Sequence, residues 1–262
     1  MNIAVDQGSF GEQLKAWRGR RHMSQLDLAL EAEISARHLS FVETGRSRPS
    51  REMVLRLAET LSLPLRNRNV LLLAAGFAPA YRERGFDDPA LGPARKAVQR
   101  ILDGHAPFPA LAVDRHWQMV AHNAVVPLLL GGVAPELLAP RANVLRLSLH
   151  PEGLAPRIVN LAEWKRHLLD RLAGQIAASA DPVLEALREE LAGYPAPASK
   201  APPIEASAIL VPLQLESPAG RLSLFSTTTV FGTPVEVTLS EIAIESFFPA
   251  DAETAEALRN LG

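Results

Sequence analysis

A chain of 262 residues, 47% of them apolar, is long enough for one large core or two ordinary ones, and 21% charged residues mark a water-soluble globular protein. The absence of cysteine excludes disulfides, cysteine-ligated zinc and thiol catalysis. No apolar run reaches the roughly 18 residues of a membrane span, and the N-terminus lacks the basic and apolar segments of a signal peptide, so the expectation is a cytoplasmic protein with no membrane partner.

The net charge of −2 hides an asymmetry. Residues 1–76 hold 11 Lys and Arg against 8 Asp and Glu, and the rest of the chain holds 16 against 21. A basic module joined to a more acidic one suggests that only the first meets phosphate.

In chain order, apolar spacing predicts five helices over residues 10–75. The first, 10–21, puts Leu14 and Trp17 on one face, with Lys15, Arg18, Arg20 and Arg21 around them. Ser24 is placed to N-cap the second, with Asp27 in the capping-box position, and Leu26, Leu28, Ala29 and Leu30 give it an apolar side. Ile34 fills a tight turn. Ser35 caps a third helix, with Leu39 and Val42 inward and Ala36, Arg37, Ser40 and Phe41 outward. Ser50 begins a fourth, carrying Met53, Val54, Leu57, Ala58 and Leu61 at helical spacing. The fifth has Pro64 as its first residue and ends before Gly76.

Two short helices, a tight turn and a loop carrying Arg46 and Arg48 suit an object laid in the major groove of DNA. Residues 24–50 closely resemble the helix-turn-helix of lambda-repressor-like and Cro-like regulators, and the resemblance extends over 10–75. It implies binding to a double-stranded DNA operator. Gln25 matches a position that touches phosphate and braces the recognition helix; the alternative is a solvated surface glutamine. Ser35, Ala36, Arg37 and Phe41 match positions at base edges or the adjoining backbone, with Ser40 beside them. Arg37 can bridge O6 and N7 of guanine, or instead pair with Glu33. Arg46 and Arg48 match phosphate contacts, and Glu43 matches a residue that braces the fold. A single recognition helix reads only a few base pairs, so a homodimer on a palindromic site is expected.

Residues 76–92 are rich in Gly, Pro and charge and read as a linker, with a helix from Pro93 to Leu102 behind it. The expected division is a DNA-binding domain over 1–76, a linker and connecting helix over 77–105, and a second domain over 106–262. That domain reads as strands 109–113 and 117–122, a short apolar helix over 123–130, and a long helix from Pro156 with the stripe Ile158, Leu161, Trp164, Leu168, Leu172 and Ile176. Asp181 and Pro182 open another helix that ends at Gly193, and 194–203 is a Pro-rich loop. Three strands follow, 208–215, 221–231 and 235–247. The middle one alternates Leu222, Leu224 and Val230 against Phe225, Thr227 and Thr229.

Two strands, helices and three strands is the order of a PAS-like domain, an antiparallel sheet with helices laid across one face. The fold class expected is therefore multidomain: a five-helix all-α lambda-repressor-like module, then an α+β PAS-like domain. The phrases DRHWQMVAHN, LRLSLHPEGLAPRIVNLAEWKRHLLDRL and FSTTTVFGTPVEVTLSEIAIESFFP resemble the C-terminal ligand-binding domain of MmyB-like transcription regulators. This resemblance implies a bacterial one-component regulator whose PAS-like part holds a fatty-acid-like or other small apolar ligand.

Candidates for lining its pocket are Trp117, His122, Asn123, Arg157, Asn160, Trp164, His167 and Phe225. Aromatics at this spacing also serve as ordinary core, and Arg157 and His167 suit either a ligand carboxylate or a surface ion pair. His116 and His122 are not at metal-ligand spacing, so no metal is expected. The nucleophile elbow, the phosphate-binding loop and the dinucleotide fingerprint are all missing, so neither catalysis nor a cofactor is expected. The alternatives are a DNA-binding module fused to an adaptor domain that only dimerises, or to a small-molecule enzyme domain.

Overall fold

Serine hydroxyls fix where the first four helices begin. In the computed structural model, which describes residues 8–197, 211–232 and 236–261, Ser9, Ser24, Ser35 and Ser50 N-cap α1 (Phe10–Arg20), α2 (Gln25–Glu31), α3 (Ala36–Glu43) and α4 (Arg51–Thr60). Each hydroxyl accepts a backbone N–H that the helix itself leaves unpaired, a contribution of about 1 kcal/mol per cap. Glu12 and Asp27 complete reciprocal capping boxes. Pro64 stands just outside α5 (Leu65–Ala74), as its N-cap rather than its first residue, because its ψ of 150° is extended.

The chain divides into two compact units, one running to Glu83 and the other holding most of the remaining residues. The core of the first is built from Leu14, Trp17, Leu28, Leu39, Val42, Leu57 and Leu72 among others. The apolar side of α2 is narrower than its sequence suggests: Leu28 and Ala29 are buried, but Leu26 and Leu30 are 58% and 69% exposed. Four residues apart, these two leucines share a stripe on the side of the helix away from Leu28. α1 crosses the end of α3 so closely that a Cβ on Gly11 would lie 2.2 Å from the Glu43 carbonyl oxygen. The linker starts folded back on α5. The buried Asn69 side chain accepts the N–H groups of Ala80 and Tyr81, both at 3.0 Å, and donates to the Tyr81 carbonyl at 2.7 Å.

The second unit begins with α6 (Gly92–Asp103), β1 (Ala110–Val113) and β2 (Met119–His122). Helices α7 (Val125–Leu129), α8 (Pro135–Leu138), α9 (Val144–Leu149), α10 (Leu161–Ser179) and α11 (Pro182–Gly193) follow. The chain then forms β3 (Leu213–Ser217), β4 (Gly220–Val230), α12 (Val237–Ser240), β5 (Ala243–Pro249) and α13 (Ala252–Arg259). The five strands make one antiparallel sheet in the order β2-β1-β5-β4-β3, the PAS-like arrangement. Leu111, Val113, Leu215, Leu222 and Leu224 on its inner face share a core with α9, α10 and α11. On the other face Val98 and Leu102 of α6 cover Ala110, Ala112 and Ile244. β1 is thus buried on both sides, which accounts for its unbroken apolar run.

Two expected elements are shorter than the sequence suggests. The long helix does not begin at Pro156: Ala155–Arg157 is a single 3₁₀ turn, Ile158 bridges to Leu215, and α10 starts at Leu161. Asn160 is the reason. Its side chain accepts the Gln214 N–H and donates to the Pro212 carbonyl, holding this stretch against β3 instead of in a helix. The last strand begins at Ala243, after the helical turn α12. The apolar alternation slips a residue there, Glu241 falling where an apolar residue is due, and the Glu241 N–H bonds back to the Thr238 carbonyl. Of the expected strand 208–215 and loop 194–203, residues 208–210 and 198–203 lie outside the described residues.

Candidate functional site

In the first unit a buried charge network ties the helix-turn-helix together. Arg18 of α1 donates to both oxygens of Glu43, from Nε at 2.7 Å and from Nη2 at 3.1 Å, and its Nη1 donates to the Met23 carbonyl at 2.9 Å. Gln25, the first residue of α2, donates from Nε2 to Glu43 Oε2 at 2.6 Å. The Glu43 side chain is 2% exposed and that of Arg18 14%, and the carboxylate raises the Arg18 pKa above its ordinary value. One carboxylate at the end of α3 therefore fixes α1 and the start of α2 against α3.

Residues 36, 37, 40 and 41 recur on one stripe of α3, away from the buried Leu39 and Val42. Ser35 and Arg37 are exposed, whereas Ala36, Ser40 and Phe41 are half-buried. The Arg37 guanidinium lies over the Phe41 ring, 5.4 Å from its centroid, and forms no ion pair with Glu33. The loop after α3 is shaped by the Arg46 and Ser47 N–H groups, which both bond the Phe41 carbonyl. Arg46 and Arg48 project from it exposed, with no ion pair to any described residue.

In the second unit the inner face of the sheet and α7, α9 and α10 line a partly open cavity of about 100 Å³. Its walls are largely apolar, from Leu111, Met119, Leu130, Leu145, Leu168 and Phe247 among others, and its polar groups come from Trp117, Ser148, Trp164, Arg171, Ser226 and Glu245. Strand register puts two of these, Ser226 and Glu245, near one another. Across the antiparallel ladder Ser226 faces Phe247, Thr228 faces Glu245, and Glu245 faces Leu111 on its other side. Directly opposed residues share a face, so a carboxylate stands on the inner face of the central strand.

α10 supplies its partner. Arg171 donates from Nη1 to Glu245 Oε2 at 3.0 Å and from Nη2 to Oε1 at 2.5 Å. Nη2 also donates to Thr228 Oγ1 at 2.6 Å, and the Thr228 hydroxyl donates to Glu245 Oε1 at 2.9 Å. The Glu245 side chain is 4% exposed and that of Arg171 24%. The Trp117 ring covers the guanidinium at 4.6 Å, and its indole N–H donates to Gln175 at 2.8 Å. Trp117 has φ of +65°, a left-handed conformation that costs an ordinary residue about 1–2 kcal/mol. It is held there by its N–H bond to the Asp114 carbonyl and by the Val144 N–H on its own carbonyl. Deeper in, the Trp164 indole N–H donates to Ser148 Oγ at 2.8 Å, and His167 stacks on Trp164 with centroids 5.4 Å apart. Burial, then the nearby Arg171, holds the His167 imidazole below its ordinary pKa.

Of the eight sequence candidates for the pocket, the cavity gathers Trp117 and Trp164, with His167 one ring away. The others lie elsewhere. Asn123, 1% exposed, accepts the Ala110 N–H and donates to the Leu102 and Phe108 carbonyls, clamping the start of β1. His122 ends β2 with Nδ1 bonded to the Asn123 carbonyl. Arg157 splints the carbonyls of Leu129, Gly131 and Glu216, and Asn160 is spent on holding β3. Phe225 stacks on Phe248 at 5.4 Å, on the sheet face away from the cavity. Arg171, Glu245, Ser148 and Ser226 are absent from the sequence candidates. Two signals point to the ion pair: Arg171 continues the buried stripe Trp164, Leu168 of α10, and Glu245 interrupts the apolar strand AIESFF. Among the described residues no cluster of His, Asp and Glu is arranged to hold a metal, and no helix is long and apolar enough to cross a membrane.

Comparison with known proteins bears on both units. Residues 14–66 match the helix-turn-helix family, and residues 94–261 match the family described as MmyB-like transcription regulator ligand binding domain. No curated protein matches the chain. A solved structure described as "Structure of an RNA-binding Light-Oxygen-Voltage Receptor" aligns with all of this chain at 13% identity and a TM-score of 0.28, a score too low to support any argument. This chain spans 63% of the length of that one. The ligand-binding match covers more than half of the chain and has a helix-turn-helix ahead of it, so the protein belongs to the MmyB-like transcription regulators, with a DNA-binding and a ligand-binding domain.

Proposed function

We propose that the protein is a cytoplasmic one-component regulator that binds a palindromic operator as a homodimer and changes its DNA affinity when a small apolar, fatty-acid-like molecule enters the second domain. In this reading residues 1–76 bind DNA, 77–105 connect, and 106–262 sense. Arg37, Ser35, Ala36, Ser40 and Phe41 face the major groove. Arg46 and Arg48 meet phosphate, and Gln25 reaches phosphate from the brace on Glu43. The observation that supports sensing over a dimerisation-only adaptor is the partly open cavity, apolar with a few polar groups gathered on its walls, which is the usual form of a small-molecule site.

The cavity is small. At about 100 Å³ it is below the roughly 150 Å³ of an engineered apolar cavity that admits benzene, so a longer acyl chain requires side chains such as Met119 and Leu130 to swing aside. For regulation the ligand must prefer one of two DNA-binding states, and coupling of about 1–3 kcal/mol changes operator affinity roughly 5–150-fold. Solvent extraction and mass spectrometry of the purified protein, with thermal shifts over a panel of short and medium-chain amphiphiles, test the ligand. A second domain that shifts with no member of the panel and carries nothing extractable removes the sensor and favours the adaptor. Footprinting tests the dimer, with two protected half-sites about 10 bp apart, or a multiple, expected. A monomer that protects one half-site refutes it.

A further inference from the structure

Among the described residues that line the cavity, the charged groups are Arg171 and Glu245, and they are already matched to each other. Arg171 spends both Nη atoms on Glu245 and Thr228, and the Trp117 ring covers its face. Glu245 accepts on both oxygens, and its carboxylate is almost fully buried beside the cavity. The polar end of the cavity is therefore neutral overall, with its negative partner the deeper of the two. Three of the five Arg171 N–H groups are used in this way, and the other two belong to a guanidinium already neutralised by a carboxylate, so the uncharged polar groups left for a ligand are hydroxyls. Ser226 lines the wall, and its hydroxyl bonds no described residue. Ser148 accepts the Trp164 indole N–H, which leaves its own O–H to donate.

A free fatty acid brings a second carboxylate. To take the Nη pair of Arg171 it must displace Glu245, leaving that carboxylate buried without its cation. Otherwise it must sit beside Glu245 in a low-dielectric space, with like charges close together. A hydroxyl, ester or amide carries no such penalty and finds donors and acceptors on the two serines. Building on the ligand-sensing reading, and narrowing its fatty-acid-like ligand to one that shares the acyl chain but not the charged head, we infer that the cavity selects an uncharged polar head on a short apolar chain, and that Glu245, by occupying Arg171, is the residue that rejects the carboxylate.

The test is isothermal titration calorimetry of the full chain at pH 8 with one chain length and several heads: octan-1-ol, octanamide, methyl octanoate and octanoate, the last ionised at that pH. The neutral heads should bind about 10-fold or more tightly than octanoate. Glu245→Gln frees the guanidinium, and octanoate should then gain at least about 10-fold relative to octan-1-ol. Ser226→Ala strands no partner, so it should keep the fold and lose severalfold affinity for the neutral heads but not for octanoate; with the wild-type comparison it decides the matter if E245Q does not fold. Octanoate binding the wild-type protein as tightly as the alcohol and amide overturns the head-group selection while leaving a ligand site in place. Failure of every probe to bind overturns the ligand-sensing reading as well.

Discussion

Replacing Glu43 with Ala should be among the most damaging single changes in the DNA-binding unit, and the structure gives the size of the effect. The substitution removes three hydrogen bonds, two from Arg18 and one from Gln25. It also strands a guanidinium whose side chain is only 14% exposed and whose remaining partner is the Met23 carbonyl. Breaking a buried ion pair by removing one member costs about 3–5 kcal/mol, because the surviving charge stays desolvated. Glu43→Gln keeps an acceptor for Arg18 but removes the charge, and should cost about 1–3 kcal/mol. The double replacement Arg18→Met, Glu43→Leu leaves no stranded charge and should lie within about 1 kcal/mol of the parent. Hydrogen exchange of the α1–α3 amides, followed by mass spectrometry, reads this unit separately from the rest of the chain. E43A should speed exchange of the slowest amides there roughly 10²- to 10⁴-fold, with the double variant near the parent rate. If E43A exchanges like the parent, or the double variant is as damaged as E43A, the network does not brace α3 and the reasoning is wrong.

Other substitutions probe different terms. Gly11→Ala places a methyl 2.2 Å from the Glu43 carbonyl oxygen and should destabilise the unit by at least about 2 kcal/mol, whereas Gly19→Ala, in the same helix with nothing within 4 Å, should be neutral or stabilising by up to about 1 kcal/mol; thermal unfolding of the pair separates them. Arg37→Ala should cost about 1–3 kcal/mol on a preferred operator and relax base preference, read by competition against sequence variants. Arg48→Ala should weaken binding to all DNA and lower the salt slope by about one, and an unchanged slope refutes its phosphate role. His167 has a folded pKa below its unfolded value, since burial and then Arg171 disfavour the imidazolium, so the unfolded chain takes the proton first. Stability should therefore fall as pH drops below about 6.5 toward the folded pKa, and His167→Gln should remove that part of the loss in urea titrations at pH 7.5 and 5.5.

The N-terminal helices are legible in the sequence because their signals are local. Ser24, Ser35 and Ser50 act within four residues of themselves, and the leucines they precede bury at helical spacing. Where a local pattern alone says that a residue is inside, it overreaches: Leu26 and Leu30 are apolar, but they lie on a stripe of α2 that no described helix covers. Asn160 shows the same limit in the second domain. Its neighbours carry a helical stripe from Ile158 onward, yet two bonds to β3, more than fifty residues away, decide where α10 begins. The cavity is harder still to read, because Ser148, Arg171, Ser226 and Glu245 come from two helices and two strands and meet only through sheet register and the packing of those helices on the sheet.

What the sequence does record is a pair of broken rules. An arginine in the buried stripe of α10 and a glutamate in the central strand of the sheet are each unfavourable alone, since an isolated buried charge costs several kcal/mol. Brought together they satisfy one another, but a pair of well-packed hydrocarbons in their place is commonly as stable or more so. Stability thus gives no sufficient reason for an ion pair on the wall of an apolar cavity. Violations of local rules that a fold tolerates without a gain in stability tend to sit at functional sites. Here the violation is where a ligand's head group would rest, which makes control over that group's charge the role that best accounts for Arg171 and Glu245.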